Sequence, residues 1–235
     1  MLFMLWRPVM SALLAATAPS RVVIVPGNGC SGEVRDANWY GWLEQQLVAD
    51  GAFEEVVLRN MPDPVVARES VWVPFLRDEL ACDARTIVVG HSSGAEAAMR
   101  LAETTALGGI VLVAACHTDL GSPSEAAAVR RARARARPQA HSPHSHAPSR
   151  ARAPPPQGYY SRPWEWAAIR ANAGFIAQFH APDDPFIPLA EARHVAENLG
   201  STLTELPGRS HFFEPFDELL AELRSHAPSK PDDAP

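Results

Sequence analysis

Thr86-Ile87-Val88-Val89-Gly90-His91-Ser92-Ser93-Gly94-Ala95-Glu96-Ala97-Ala98-Met99 is the stretch that decides how this chain is read. Four residues of β-type character enter the pattern G-x-S-x-G, and a small-residue, helix-forming run leaves it. A buried strand, a turn too tight for bulk and a helix are what a serine needs to stand proud of a sheet edge. Gly90 and Gly94 lie two positions either side of Ser92, where a side chain would meet the neighbouring strand or helix. The first amides of the new helix, that of Ser93 among them, then point into the space above the hydroxyl and suit an oxyanion. The pattern alone is common by chance; the strand before it and the Ala-rich run after it give it meaning.

A serine hydroxyl is a poor nucleophile unless a base takes its proton and an acid orients the base. After such a strand–turn–helix the partners follow in the order Ser, Asp or Glu, His, on loops at the carboxyl ends of later strands. Two places fit. Gly174 to His180 reads as a strand and leads to Ala181-Pro182-Asp183-Asp184-Pro185-Phe186-Ile187-Pro188; Thr202 to Leu206 reads as a short strand and leads to Pro207-Gly208-Arg209-Ser210-His211. Asp184, heading D-x-x-I-P, is favoured over Asp183, with helix capping as its alternative. His211 is the expected base. His91 is expected to pack away from the attacking oxygen, and His180 to fill a polar contact.

The rest of the chain fits a βαβα alternation, for which a parallel, doubly wound sheet is the natural solution. Arg21 to Pro26 reads as a buried strand running into Gly27-Asn28-Gly29. A turn there is where a second oxyanion amide is found; the Asn28 N–H is the candidate, with an ordinary Gly-Asn-Gly turn as the alternative. Trp39 to Val48 shows an apolar helical stripe (Trp39, Trp42, Leu43, Leu47) whose default meaning is core packing. Phe53 to Leu58 is a strand, Asn60 to Pro64 a rigid turn, and Val65 to Leu80 a helix interrupted at Pro74. Gly109 to Ala114 is an apolar two-sided strand. A helix opens at Arg162-Pro163-Trp164-Glu165-Trp166 with Pro163 near its first turn. Further helices are expected over Pro188 to Leu199 and Pro215 to Ser225.

Composition bounds the rest. The 235 residues carry 46% hydrophobic content and a net charge of -6, enough for one sizeable core and against nucleic acid as main partner. Residues 21–226 are expected to form one domain, preceded by a leader at 1–20 and followed by a disordered tail at 227–235. It is interrupted by an Arg-, Pro- and His-rich insert at 123–157. That insert holds seven Arg against one Glu, leaving 14 basic and 26 acidic residues elsewhere, and its seven prolines and lack of large apolar residues predict disorder. It reads as a surface-loop expansion, or alternatively as a tail for an anionic partner.

Cys30, Cys82 and Cys116 form no C-x-x-C pair, so a reducing, cytoplasmic setting is expected and no metal site is signalled. The competing reading is organelle targeting or secretion by residues 1–20, with an apolar stretch at Val9 to Ala18 and Ala16-Thr17-Ala18 as a cleavage site. No apolar run is long enough to span a bilayer.

Several longer motifs now come together: Val25-Pro26-Gly27-Asn28-Gly29, Trp39-Tyr40-Gly41-Trp42, Asn60-Met61-Pro62-Asp63-Pro64, Ala67-Arg68-Glu69-Ser70, Gly90 to Ala95, Arg162 to Trp166 and Asp183 to Phe186. With them the chain resembles the retinoblastoma-binding protein nine family, small serine hydrolases of the α/β-hydrolase fold, over roughly residues 20 to 225 apart from the insert. The resemblance implies a doubly wound, mostly parallel sheet with helices on both faces and places Ser92, Asp184 and His211 at the family's triad positions. It also implies hydrolysis of small amino-acid-type esters or peptides without any cofactor. Trp39, Trp42, Trp164 and Trp166 become candidates for the cleft wall, core packing remaining the alternative for each. Two departures stand out. Ser210 replaces the Gly that precedes the histidine in relatives, and the pocket-protein motif L-x-C-x-E is broken, Leu80-Ala81-Cys82-Asp83 being followed by Ala84. Retinoblastoma-protein binding is therefore not carried over. The rival to the enzyme is a non-catalytic binding protein of the same fold that uses the Arg-rich insert as its surface.

Overall fold

The computed structural model describes residues 18–121 and 158–228. The expected leader up to residue 17, the whole of the 123–157 insert, and residues 229–235 of the expected tail lie outside the described residues. Six strands form one sheet in the order β2-β1-β3-β4-β5-β6. They are β1 (Arg21–Val25), β2 (Glu55–Leu58), β3 (Thr86–His91), β4 (Gly109–Val113), β5 (Ile176–His180) and β6 (Thr202–Glu205). Every pairing is parallel, where the sequence pattern leads one to expect a mostly parallel sheet. The central strands are buried on both faces, and their β-branched runs are the expected composition for that setting.

The alternation within each strand sorts the core into two layers. Val22, Ile24, Ile87, Val89, Val111 and Val113 face one cluster, which includes Leu43 and Leu47 of α1 (Tyr40–Asp50) and Leu219 and Leu223 of α6 (Asp217–Ser225). Val23, Val25, Val88, Ile110 and Leu112 face the other. That layer holds Trp72 of α2 (Glu69–Pro74), much of α3 (Ser93–Ala102), Ile169 of α4 (Trp166–Asn172) and Val195 of α5 (Leu189–Leu199). Helices on both faces of a parallel sheet follow from strands whose two faces are both apolar. No described helix is long and apolar enough to cross a membrane.

Two helix starts differ from the sequence expectation. The helix expected from Val65 begins at Glu69, because Asp63 and Ala67 adopt left-handed φ (51° and 56°) and the Asp63 carboxylate takes the Arg68 amide (3.2 Å). At its other end Pro74 passes into one wide π-type turn, Phe75–Glu79, which is the break expected of a proline lacking an amide. The helix expected to open near Pro163 begins at Trp166. Arg100 holds the preceding segment, donating to the carbonyls of Tyr159, Arg162 (2.9 Å) and Pro163 (3.0 Å), so these oxygens are engaged with a side chain rather than a helical ladder. Its guanidinium is fully buried against Glu103 (2.5 Å) and stacks 3.7 Å above the Trp164 ring.

Candidate active site

Ser92, Asp184 and His211 follow β3, β5 and β6 respectively, and in an all-parallel sheet those three carboxyl ends share one edge. Ser92 sits at φ 51°, ψ -123°, a backbone state that costs a non-glycine residue roughly 1–3 kcal/mol. The surroundings hold it there. The Ser92 amide donates to the Val113 carbonyl at the end of β4 (2.9 Å), and its own carbonyl takes the amide of Ala95, the third residue of α3 (2.7 Å). A side chain at Gly90 would run into the Gly94 carbonyl, and one at Gly94 into the Val25 and Pro26 carbonyls. Both glycines are therefore required by close approach.

Asp184 and His211 are joined directly. His211 Nδ1 lies 2.7 Å from Asp184 Oδ2, with the carboxylate side chain wholly buried and the imidazole nearly so. The other carboxylate oxygen accepts the Phe186 (2.8 Å) and Ile187 (3.0 Å) amides. Burial pushes the Asp184 carboxyl up. The hydrogen bonds from His211 and the two amides outweigh it, and the group titrates below its ordinary value. Its job is not capping α5, whose N-cap residue is Pro188. Asp183, the rival acid, is an exposed staple instead: its oxygens take the Gly208 (2.7 Å) and Ser210 (3.0 Å) amides and tie the β5 loop to the β6 loop. Ser92 is partly exposed and its Oγ makes no hydrogen bond among the described residues. Hydroxyl-to-imidazole contacts of this kind are often long without substrate and tighten on binding.

The turn after β1 reaches the serine. A Cβ on Gly27 would stand 3.3 Å from Ser92 Cβ, and Ser93 Oγ donates to Asn28 Oδ1 (3.2 Å). Asn28 and Ser93, the two residues whose amides were the oxyanion candidates, are thus brought together beside Ser92. His91 is buried as expected, but its ring is bonded at both ends, to Tyr40 (2.6 Å) and to the His211 carbonyl (2.9 Å). His180 contacts the Ile187 carbonyl (3.0 Å), the polar contact foreseen for it.

The four tryptophans divide. Trp39 is fully buried against Tyr40, His91 and Phe216, which places it in the core and corrects its candidacy for a cleft wall. A residue just ahead of α1, whose apolar stripe covers the sheet, has no route to solvent. Trp42 is partly buried on the same layer. Trp164 and Trp166 stack (5.6 Å) and stay partly exposed, with Trp164 Nε1 donating to the His117 carbonyl in the loop after β4 (2.9 Å). Sequence reasoning missed Phe186 and Phe213. These are among the most exposed large apolar side chains described (60% and 46%), and they flank the His211 ring at 5.1 and 5.6 Å. Each follows its polar neighbour by two positions, and nothing in the sequence marks them as exposed. Leu80 and Cys82, the two surviving apolar positions of the broken pocket-protein motif, are buried.

A parallel sheet with helices on both faces and a serine on a strained turn after its third strand defines an α/β-hydrolase. The family model described as serine hydrolase matches residues 22–215, and the chain belongs to that family. Serine hydrolase RBBP9 of Rattus norvegicus is 41% identical over 209 residues, covering 88% of this chain and 96% of the relative. Among solved structures, the ydeN gene product of B. subtilis superposes with a TM-score of 0.65 at 22% identity, over 88% of this chain and 98% of that one. A monoacylglycerol lipase of Paleococcus ferrophilus gives 0.58 at 20% identity, over 90% and 97%. The two structures speak to fold; the sequence relatives identify a hydrolase.

Proposed function

We propose that the chain cleaves small carboxylic esters or amides of amino-acid type through an acyl-enzyme on Ser92. The observation that supports this most is the 2.7 Å bond between a buried Asp184 carboxylate and His211, at the sheet edge that carries the strained serine. With Nδ1–H committed to Asp184, the imidazole offers Nε2 as a base. Ser92 Oγ attacks the substrate carbonyl carbon while Nε2 takes its proton. The tetrahedral oxyanion is held by the Ser93 and Asn28 amides. Collapse expels the alcohol or amine, which leaves with the proton from Nε2, and water repeats the sequence to free the acid.

The aromatic faces of Phe186 and Phe213 beside His211 suit the apolar portion of such a substrate, and Trp164 and Trp166 are proposed to line the other side. Three free cysteines accord with a cytoplasmic setting. Binding to a retinoblastoma-type pocket is not part of the proposal, Leu80 and Cys82 being buried. A panel of small amino-acid esters and matching amides tests the reading. Turnover by the native chain and its loss in Ser92→Ala are expected; equal hydrolysis by both proteins would overturn it.

A further inference from the structure

His91 Nδ1 lies 2.6 Å from Tyr40 Oη, a hydroxyl that also accepts the Gly27 amide (2.9 Å) and the Asn38 side-chain amide (3.0 Å). The donors fix the direction of the whole chain. Gly27 N–H and Asn38 Nδ2–H fill the two lone pairs of Oη, so the Tyr40 proton goes to His91 Nδ1. The His91 ring then carries its proton on Nε2 and donates to the His211 carbonyl 2.9 Å away. Five groups on four chain segments thus share one chain of oriented bonds. It starts at the turn after β1, passes through α1 and the residue before Ser92, and ends on the backbone of His211.

We propose that Tyr40 and His91 are positioning residues of the hydrolytic site, setting the Gly27–Asn28 turn and His211 at fixed places about Ser92. The inference rests on the reading of Ser92 and His211 given above and adds how their geometry is held. His91 cannot itself trade protons there. Burial and the neighbouring His211 push its ring down to about 3, so it stays neutral, and burial raises the Tyr40 hydroxyl above its ordinary value. The Cys30 thiol nearby is kept protonated, burial raising it above the ordinary thiol value. The need for the relay is visible at His211. Its two neighbours Ser210 and Phe212 both adopt left-handed φ (50° and 54°), so the loop has no regular ladder, and its carbonyl is tied down by a side chain instead.

The test uses the full chain with Tyr40→Phe, His91→Gln and His91→Asn, alongside Ser92→Ala, and reads kcat and KM on an ester the native chain turns over. Tyr40→Phe keeps the ring and removes only the hydroxyl. It should lower kcat on the order of 10- to 100-fold, as loss of a supporting hydrogen bond does elsewhere, with KM unchanged within a factor of about two. His91→Gln presents an amide N–H where Nε2 stood and should keep more kcat than His91→Asn, whose amide is too short to reach the His211 carbonyl. Histidine NMR should show His91 as the Nε2–H tautomer in the native chain and a mixture in Tyr40→Phe. Folded variants that retain native kcat, or an equal loss in the Gln and Asn variants, would overturn the proposal. Should Tyr40→Phe fail to fold, the Gln and Asn pair decides. Hydrolysis surviving Ser92→Ala would defeat the underlying reading instead, a separable result.

Discussion

Asp184 grips His211 from a buried position, Oδ2 to Nδ1 at 2.7 Å, while its second oxygen is fixed by the Phe186 and Ile187 amides. The carboxylate therefore cannot turn away, and the ring is held in one tautomer. Asp184→Asn keeps the shape but can donate to Nδ1, which selects the tautomer with its proton on Nε2. A drop in kcat of roughly three to four orders of magnitude is expected, with the fold intact by circular dichroism. A loss smaller than tenfold would show that the pair does not orient the base.

Asp183 acts by a different route. It touches no ring and staples the two loops through the Gly208 and Ser210 amides, which hold its carboxyl below the ordinary value. Asp183→Ala should reduce kcat by roughly tenfold at most, far less than Asp184→Asn, because the His211 loop loosens while Asp184 stays in place. Steady-state kinetics of the two variants side by side check the ranking; a reversed order would exchange their roles.

Ser210 occupies a left-handed conformation (φ 50°) that costs a residue with a Cβ about 1 kcal/mol relative to glycine. Its amide, not its side chain, binds Asp183. Ser210→Gly should leave kcat unchanged and stabilise the chain by roughly 0.5–1 kcal/mol, measured by urea denaturation. A marked loss of activity would mean the hydroxyl has a task the geometry does not show.

Glu96 lies buried on α3, its Oε1 taking the Cys116 amide (3.1 Å) and thiol (3.4 Å), and burial pushes its carboxyl up to about 8 from an ordinary 4.5. The folded chain holds this proton where the unfolded chain has lost it. Its contribution to stability is therefore full below pH 4.5 and is lost as pH rises through 8. His91, pushed down to about 3, works in the opposite sense: its contribution is present above its ordinary 6.5 and is lost as pH falls toward 3. Glu96→Gln should thus raise the melting temperature at pH 8 and have little effect at pH 5, as thermal unfolding at the two pH values would show. Equal shifts at both pH values would contradict this.

The sheet was legible because its strands are continuous β-branched runs between turn residues, and buried parallel strands demand that composition. The convergence of Ser92, Asp184 and His211 on one sheet edge was legible from chain order and strand ends, and the D-x-x-I-P setting pointed to Asp184, the acid that meets His211, over Asp183. What escaped reading depends on contacts distant in sequence. Trp39 lies on an apolar stripe, and only packing against His91 and Phe216 shows that it never reaches a cleft. The late start of α4 follows from Arg100, some sixty residues earlier, capturing three carbonyls. The exposure of Phe186 and Phe213 is likewise a property of the assembled edge rather than of their neighbours in the chain.

Everything above turns on Ser92 being the nucleophile, and intact-protein mass spectrometry after treatment with a fluorophosphonate measures that directly. The account predicts a single phosphonyl adduct that maps by peptide sequencing to Ser92 and is absent from Ser92→Ala. An adduct on another residue, or equal modification of the Ser92→Ala protein, would contradict it.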